Sequence, residues 1–152
     1  MKRFELINIS KEEFNREKAP FISQIGSPFR CFGLITDGEK SFKMAWQSDK
    51  IKPWVKEIGP NICGVGIDQN FSIVDFNSGL IRLKLSLTYN FYTVYIFLGS
   101  IFVITELEIL KLDGTTFEVI VEYGLPDFFE GIEIEGDHLK VMCKDGLSVI
   151  VT

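Results

Sequence analysis

Residues 71–87 read FSIVDFNSGLIRLKLSL, two apolar segments on either side of a turn rich in Asn, Ser and Gly. In the second segment, apolar residues alternate with charged or small polar ones. A period of two is the signature of a strand that buries one face. The stretch therefore predicts a β-hairpin whose second strand turns Ile81, Leu83, Leu85 and Leu87 toward a core.

The same alternation returns in the last third of the chain, where glutamates and lysines separate apolar residues. Each of these runs predicts a further strand with a buried face. The residues predicted to face inward are Phe117, Val119, Val121 and Tyr123 in the first run, Ile132 and Ile134 in the second, and Leu139, Val141 and Cys143 in the third.

The first 60 residues carry one helix signal and one hairpin signal. Ser10 followed by Glu13 forms a capping box, and Pro20 provides a stop, so we expect a short surface helix over about residues 11–18. Asp37-Gly38 lies between two apolar segments and predicts a hairpin. Residues 50–60 are predicted to be a connector in which Trp54 plugs one end of the core.

The hairpins repeat along the chain. Residues 71–87 can be laid on residues 107–123 without a gap, at an offset of 36, and each copy reads strand, polar turn, strand. A partial third copy, residues 138–151, echoes residues 100–110 at an offset near 38. A repeat of this length made of short antiparallel strands is typical of propeller-like arrays.

The segments IVDFNSG at 73–79 and ILKLDGTT at 109–116 resemble blades of the β-propeller superfamily. A blade takes roughly 40 residues, and a closed ring takes typically at least four blades. For 152 residues the resemblance implies an open half-propeller. We therefore expect a mainly β fold, an antiparallel hairpin and meander array with a short N-terminal helix, in a single domain over residues 1–152.

Two features bear on the compartment. The opening segment MKRFELINISKEEF has no apolar core, so no signal peptide is expected, and three cysteines without a CxxC pair favour a reducing cytoplasm. Leu85 to Thr105 is free of charge and long enough to cross a bilayer. However, Asn90 and Gly99-Ser100 interrupt it, and its β-branched and aromatic residues favour strands, so we predict no membrane helix.

A catalytic site is not predicted. His138 is the only histidine and sits in a turn, and no nucleotide, zinc or nucleophile motif occurs, so no cofactor and no metal site are expected. Carboxylates spaced by two, Glu106 with Glu108 and Glu133 with Glu135, raise the alternative of a carboxylate-based hydrolase. On strands they would face solvent, where nothing raises the pKa of a catalytic acid.

The charge is unevenly distributed. Residues 106–152 hold 11 acidic and 3 basic residues, whereas residues 1–60 hold 8 acidic and 11 basic ones without a clear basic patch. An acidic surface disfavours nucleic acid and attracts basic proteins. We predict a partner-binding surface, on a protein that is a monomer when free, formed by Glu106, Glu108, Asp127, Phe128, Phe129, Glu130, Glu133, Glu135 and Asp137.

A small, acidic, non-catalytic β protein of this kind resembles, in type and composition, bacterial toxin-immunity proteins such as those of contact-dependent growth inhibition systems. The resemblance implies a tight complex in which acidic side chains occlude the active site of a basic toxin, for example a nuclease. A general scaffold or ligand-binding β domain is the alternative.

Overall fold

The computed structural model describes residues 4–22 and 28–152, so the first three residues of the segment tested for a signal peptide lie outside the described part. The chain divides into two compact units, residues 1–88 and residues 89–152. Each unit contains one three-stranded and one four-stranded antiparallel sheet, and the first unit also contains a short helix. The mainly β fold with a short N-terminal helix is confirmed, whereas the half-propeller arrangement and the single domain stay predictions.

The first unit contains seven strands and the helix, arranged in two meanders in the orders β1-β2-β3 and β4-β5-β6-β7. Every neighbouring pair is antiparallel. In chain order the elements are β1 (Glu5–Ile9), α1 (Lys11–Arg16), β2 (Cys31–Thr36), β3 (Ser41–Trp46), β4 (Trp54–Gly59), β5 (Ile62–Ile67), β6 (Asn70–Asp75) and β7 (Leu80–Ser86).

The second unit is built in the same way from a four-stranded sheet in the order β11-β10-β9-β8 and a three-stranded sheet in the order β12-β13-β14. Its strands are β8 (Phe91–Phe97), β9 (Ser100–Thr105), β10 (Glu108–Asp113), β11 (Val119–Gly124), β12 (Phe129–Glu135), β13 (His138–Cys143) and β14 (Ser148–Val151).

Helix α1 begins where the sequence predicts. The Ser10 hydroxyl accepts a hydrogen bond from the Glu13 N–H at 3.1 Å, and the Glu13 carboxylate accepts one from the Ser10 N–H, which completes the capping box. The helix ends at Arg16, two residues before the predicted end, because Glu17 is already extended. The Lys43 ammonium on β3 then donates to the Phe14 and Glu17 carbonyl oxygens, which fastens the end of the helix to the sheet.

The core of the first unit lies between its two sheets. Phe42, Met44 and Trp46 from β3 pack with Val65 and Val74 from the second sheet, all almost completely buried. Burying aromatic and branched side chains of this size is worth roughly 1.5–3 kcal/mol each, so the pairing of the two sheets is the main source of stability in this unit.

The Asp37 hairpin is confirmed, because β2 and β3 flank that turn. The prediction for residues 50–60 is wrong: β4 occupies Trp54–Gly59 and pairs with β5, and Trp54 is the half-buried first residue of an edge strand. No period of two predicted this strand, because its apolar residues Trp54, Val55 and Ile58 do not alternate with polar ones.

The second unit has its own core of Phe102, Ile104 and Ile109 from one sheet against Leu139 and Val141 from the other. The inward direction predicted for the β13 residues, Cys143 included, is therefore confirmed. At one margin, the Tyr123 hydroxyl and the Lys111 ammonium each donate to the Thr152 carbonyl oxygen at 2.9 Å, which joins the end of β14 to the four-stranded sheet.

The sheets repeat at 38 residues, and the predicted offset of 36 is wrong by two. β5, β9 and β13 begin at residues 62, 100 and 138, and β8 and β12 begin at 91 and 129. Asp75 and Asp113 each end a strand and Asp37 directly follows one, and each Oδ1 accepts the backbone N–H groups two and three residues further on. In such an Asx turn, the aspartate side chain accepts the hydrogen bonds that reverse the chain, so the first residue of the turn need not be glycine.

Two inward predictions fail at sheet edges. Val119 and Val121 on β11 are 37% and 36% exposed, whereas Phe117, in the turn before that strand with φ of 65°, is buried as predicted. Ile134 near the end of β12 is 65% exposed. In β7, Ile81, Leu83 and Leu85 do face inward, but only half-buried. The sequence of an edge strand can alternate with a period of two even though no neighbouring element covers its apolar side chains.

The uncharged stretch from Leu85 to Thr105 forms the end of β7 and the strands β8 and β9. Among the described residues, no helix has both the length and the apolar character that a membrane crossing requires.

The Asx turns give a first test of the repeat. Asp75→Ala removes the acceptor of the Asn77 and Ser78 N–H groups, and we expect the free energy of unfolding at pH 7 to fall by about 1–2 kcal/mol. Asp75→Asn keeps an Oδ1 acceptor and should lose less. Urea denaturation measures both; equal losses would show that the turn does not depend on this acceptor.

The pH dependence of the same turn follows from the pKa of Asp75. Burial alone would raise that pKa, but the N–H groups of Asn77 and Ser78 stabilise the carboxylate and lower it below 3.8. The resulting stability is present above the unfolded value and is lost as the pH falls through the folded value. The difference between wild type and Asp75→Asn should therefore shrink as the pH falls below 3.8.

Gly114 gives a second test, because a Cβ at this position would overlap the backbone of Gly99. We expect Gly114→Ala to lower the free energy of unfolding by roughly 1–3 kcal/mol, as overpacking does elsewhere. Gly124→Ala is the matched control, since its Cβ would meet open space. Thermal melting that ranks the two variants equally would contradict the close approach of the two turns.

Candidate functional site

The outer face of the last sheet carries the centre of the predicted surface. Glu133 pairs with Lys140 across β12 and β13, and Lys140 pairs with Ile150 on β14, so these three side chains share one face. Glu133 and Glu135 are both exposed, and Ile150 is 50% exposed. The structure therefore presents two carboxylates spaced by two on one exposed face, beside an apolar side chain.

A second group of predicted residues gathers where β12 begins. The Phe129 N–H donates to the Glu106 carbonyl oxygen at 2.8 Å, and the Lys144 N–H donates to the Phe128 carbonyl oxygen at 2.9 Å. These bonds hold Glu106, Asp127, Phe128 and Glu130 around one end of the sheet. Phe128 is 45% exposed, so an aromatic side chain stands among carboxylates.

Phe129 differs from its neighbour. It is 7% exposed and belongs to the core of the second unit, where its ring centroid lies 5.2 Å from that of Tyr92. Phe129 therefore positions the loop before β12 and is not itself available to a partner. Of the two adjacent aromatics in the predicted surface, Phe128 alone is exposed.

Asp137 lies at the opposite end of β12, in the turn to β13. Its carboxylate is 3.1 Å from the His138 imidazole, and both side chains are largely exposed. At about 3.3 Å per residue, the seven-residue strand β12 places this turn roughly 20 Å from Glu130. The predicted residues thus form an elongated acidic strip along β12, with a group at each end.

Glu106 and Glu108 do not form the pair that their spacing predicts. Glu106 lies in the turn after β9, whereas Glu108 begins β10 and faces Glu122 on β11. Partial burial, the charge of Glu122 and a hydrogen bond with the Glu122 side chain raise the pKa of Glu108. A raised pKa suits acid–base chemistry, but this pair sits on an outer hairpin of a sheet.

The cysteines are separate from one another and free. Burial raises the pKa of the Cys63 thiol to about 12, so it stays protonated. In the described parts of the chain, no cluster of three or more histidine, cysteine or carboxylate side chains is arranged to hold a metal ion.

Sequence reasoning missed a basic groove in the first unit. The basic residues of the first 60 are interspersed with acids in sequence, and no patch was predicted from them. The structure gathers Lys11, Arg30, Lys50 and Lys52 around one groove of about 880 Å³. The signal that could have found it is the run SDKIKP at 48–53, where two lysines flank Ile51 next to a strand.

Comparison with models of known protein families and with curated proteins found no match.

The Glu108–Glu122 pair can be tested by removing one charge. The raised pKa means that ionised Glu108 destabilises the fold once the pH exceeds its unfolded value near 4.5, and fully so above its folded value. Glu108→Gln should therefore melt at a higher temperature than wild type at pH 7 and at nearly the same temperature at pH 4. A loss of stability at pH 7 would contradict the repulsion between the two carboxylates.

Proposed function

We propose that this protein is a non-catalytic protein-binding module whose acidic strip along β12 docks onto a basic protein. The observation that carries the proposal is the separation of charge: the second unit has 11 acidic and 3 basic residues, and it exposes Glu130, Glu133 and Glu135 on β12 and Asp137 in the turn that follows. Residues 1–88 have a net charge of the opposite sign. The acidic character is therefore a property of one unit.

The strip has the two components that a specific interface needs. Its carboxylates raise the rate of encounter with a basic surface and disfavour acidic partners. Phe128 and Ile150 supply apolar area that a partner can bury, and aromatic side chains of this kind are common among residues that dominate binding energy. This combination of exposed carboxylates and exposed apolar side chains supports the proposal of a protein partner.

The partner class that we propose is a bacterial toxin, with this chain as its immunity protein. Small size, blade-like β units similar to those of the propeller superfamily and an acidic surface support this class. A toxin such as a nuclease presents basic side chains at its active site in order to hold phosphates. Covering that site with the acidic strip would block the substrate.

A general scaffold is the second candidate, and exposed apolar edges favour it. The β11 edge presents Val119, Ile120 and Val121 to solvent, and an edge strand can pair with a strand from another chain. Self-association that increases with protein concentration and survives charge reversal on β12 would favour this candidate.

Charge reversal tests the acidic strip. The Glu133→Lys/Glu135→Lys variant should weaken capture of the toxin candidate encoded in the adjacent reading frame by at least about tenfold, and the remaining binding should depend less on salt. Pull-down and calorimetry at two salt concentrations provide the measurement.

The matched control is Glu12→Lys/Glu57→Lys, which makes the same change of net charge on exposed residues of the first unit. It should leave binding within about twofold of wild type, because neither residue belongs to the acidic strip. Equal losses of binding in the two variants would show that binding depends on net charge alone. That result would contradict the proposed interface.

A further inference from the structure

The repeat shows which strand position the first sheet leaves uncovered. β2 ends at the Asp37 turn as β6 and β10 end at Asp75 and Asp113, so β2 is the counterpart of the third strand in each four-stranded sheet. β1 therefore stands in the place of the second strand, where β5 and β9 stand. In the other sheets the second strand is flanked by β4, β8 or β12, whereas among the described residues β1 pairs with β2 alone.

A groove lies beside β1. It is lined by Leu6 and Asn8 on β1, by Cys31 on β2, by Trp46 on β3 and by residues 48–53. Its volume is about 880 Å³. Lys52 and Pro53 also line a second cleft of about 520 Å³, which includes Phe4 and Ile7. Every residue of β1 lines one or both of the two clefts.

The charge of the groove is positive. Lys11, Arg30, Lys50 and Lys52 line the larger cleft, and Asp49 is the one carboxylate among the described residues around it. Glu5 lines the continuation. Apolar area accompanies the charge: Ile51 is 64% exposed and Ile7 is 45% exposed. A ligand that alternates acidic and apolar groups would match both features.

We propose that this groove binds an extended acidic segment of a partner protein, which pairs with β1 as an added edge strand. Strand addition provides affinity through main-chain hydrogen bonds and specificity through alternate side chains. The chain's own β12, FEGIEIE, occupies the corresponding position beside β13 and alternates acids with apolar residues in the same way. An acidic strand is therefore compatible with this position in the repeat.

A second copy of this chain could not supply β12 as the added strand, because that acidic strand is already paired with β13 in its own sheet. The groove also lies outside the unit that carries the acidic strip, so it belongs to a binding event separate from the one proposed above. Failure of either proposal leaves the other standing.

The test uses the full chain and a defined probe, an acetylated and amidated heptapeptide of alternating valine and glutamate. We expect saturable binding by calorimetry that weakens at 1 M salt, where the screening length is about 3 Å. The matched peptide with lysine in place of glutamate should not bind. A glutamate peptide with N-methyl groups on all its backbone nitrogens should lose binding, because none of its residues keeps an N–H group to donate to β1.

Variants of the groove locate the site. Lys50→Glu/Lys52→Glu should weaken peptide binding by about tenfold or more, equivalent to about 1.4 kcal/mol. Lys84→Glu/Lys18→Glu, which reverses two exposed lysines of the same unit outside the groove, should change it by less than about twofold, since exposed pairs at a distance are screened. Both variants are surface changes, and their melting temperatures verify that they fold.

Three results would overturn the proposal. The lysine peptide could bind as tightly as the glutamate peptide, the N-methylated peptide could bind unchanged, or the control variant could weaken binding as much as the groove variant. Light scattering decides about a second copy: a dimer of the free protein that Lys50→Glu/Lys52→Glu dissociates would assign the groove to self-association instead.

Discussion

Each sheet of this protein has an apolar face that must be covered by another sheet. In the first unit, Phe42, Met44 and Trp46 meet Val65 and Val74, and in the second unit Phe102 and Ile104 meet Leu139 and Val141. Exposure of these apolar faces to water is unfavourable, and their burial is the largest favourable contribution to folding. The remaining features follow from this pairing, because the strands left at the margins carry the exposed charges and the open edges.

The 38-residue period gives the pairing its regularity. Asp37, Asp75 and Asp113 reverse the chain at corresponding points, so each unit of sequence produces a meander of the same kind. The period also explains where the first sheet differs. Its β1 precedes α1 in the chain, takes the second position and leaves its outer edge beside a basic groove.

The sequence predicted the strands well and the depth of their burial less well. Alternation identified β7, β12 and β13, and the capping box identified α1, because these signals are local. Val119, Val121 and Ile134 show the same alternation but lie at sheet edges, a property that depends on strand order rather than on any single strand. In the structure a turn separates Glu106 from Glu108, and Phe129 lies in the core. Both outcomes depend on contacts between segments that are distant in sequence. The groove cations come from three separate segments, and only Lys50 and Lys52 are close in sequence, so local patterns did not reveal the whole groove.

The two units carry surfaces of opposite charge, an acidic strip along β12 and a basic groove along β1. Binding through these surfaces, as proposed, would distinguish partners by sign of charge before any close contact forms. The most direct test of the acidic strip is hydrogen–deuterium exchange of the chain alone and in complex with the basic protein that it captures. The account predicts slower exchange on binding in Phe129–Glu135 and in the loop before it. Slower exchange confined to residues 1–88 would contradict it.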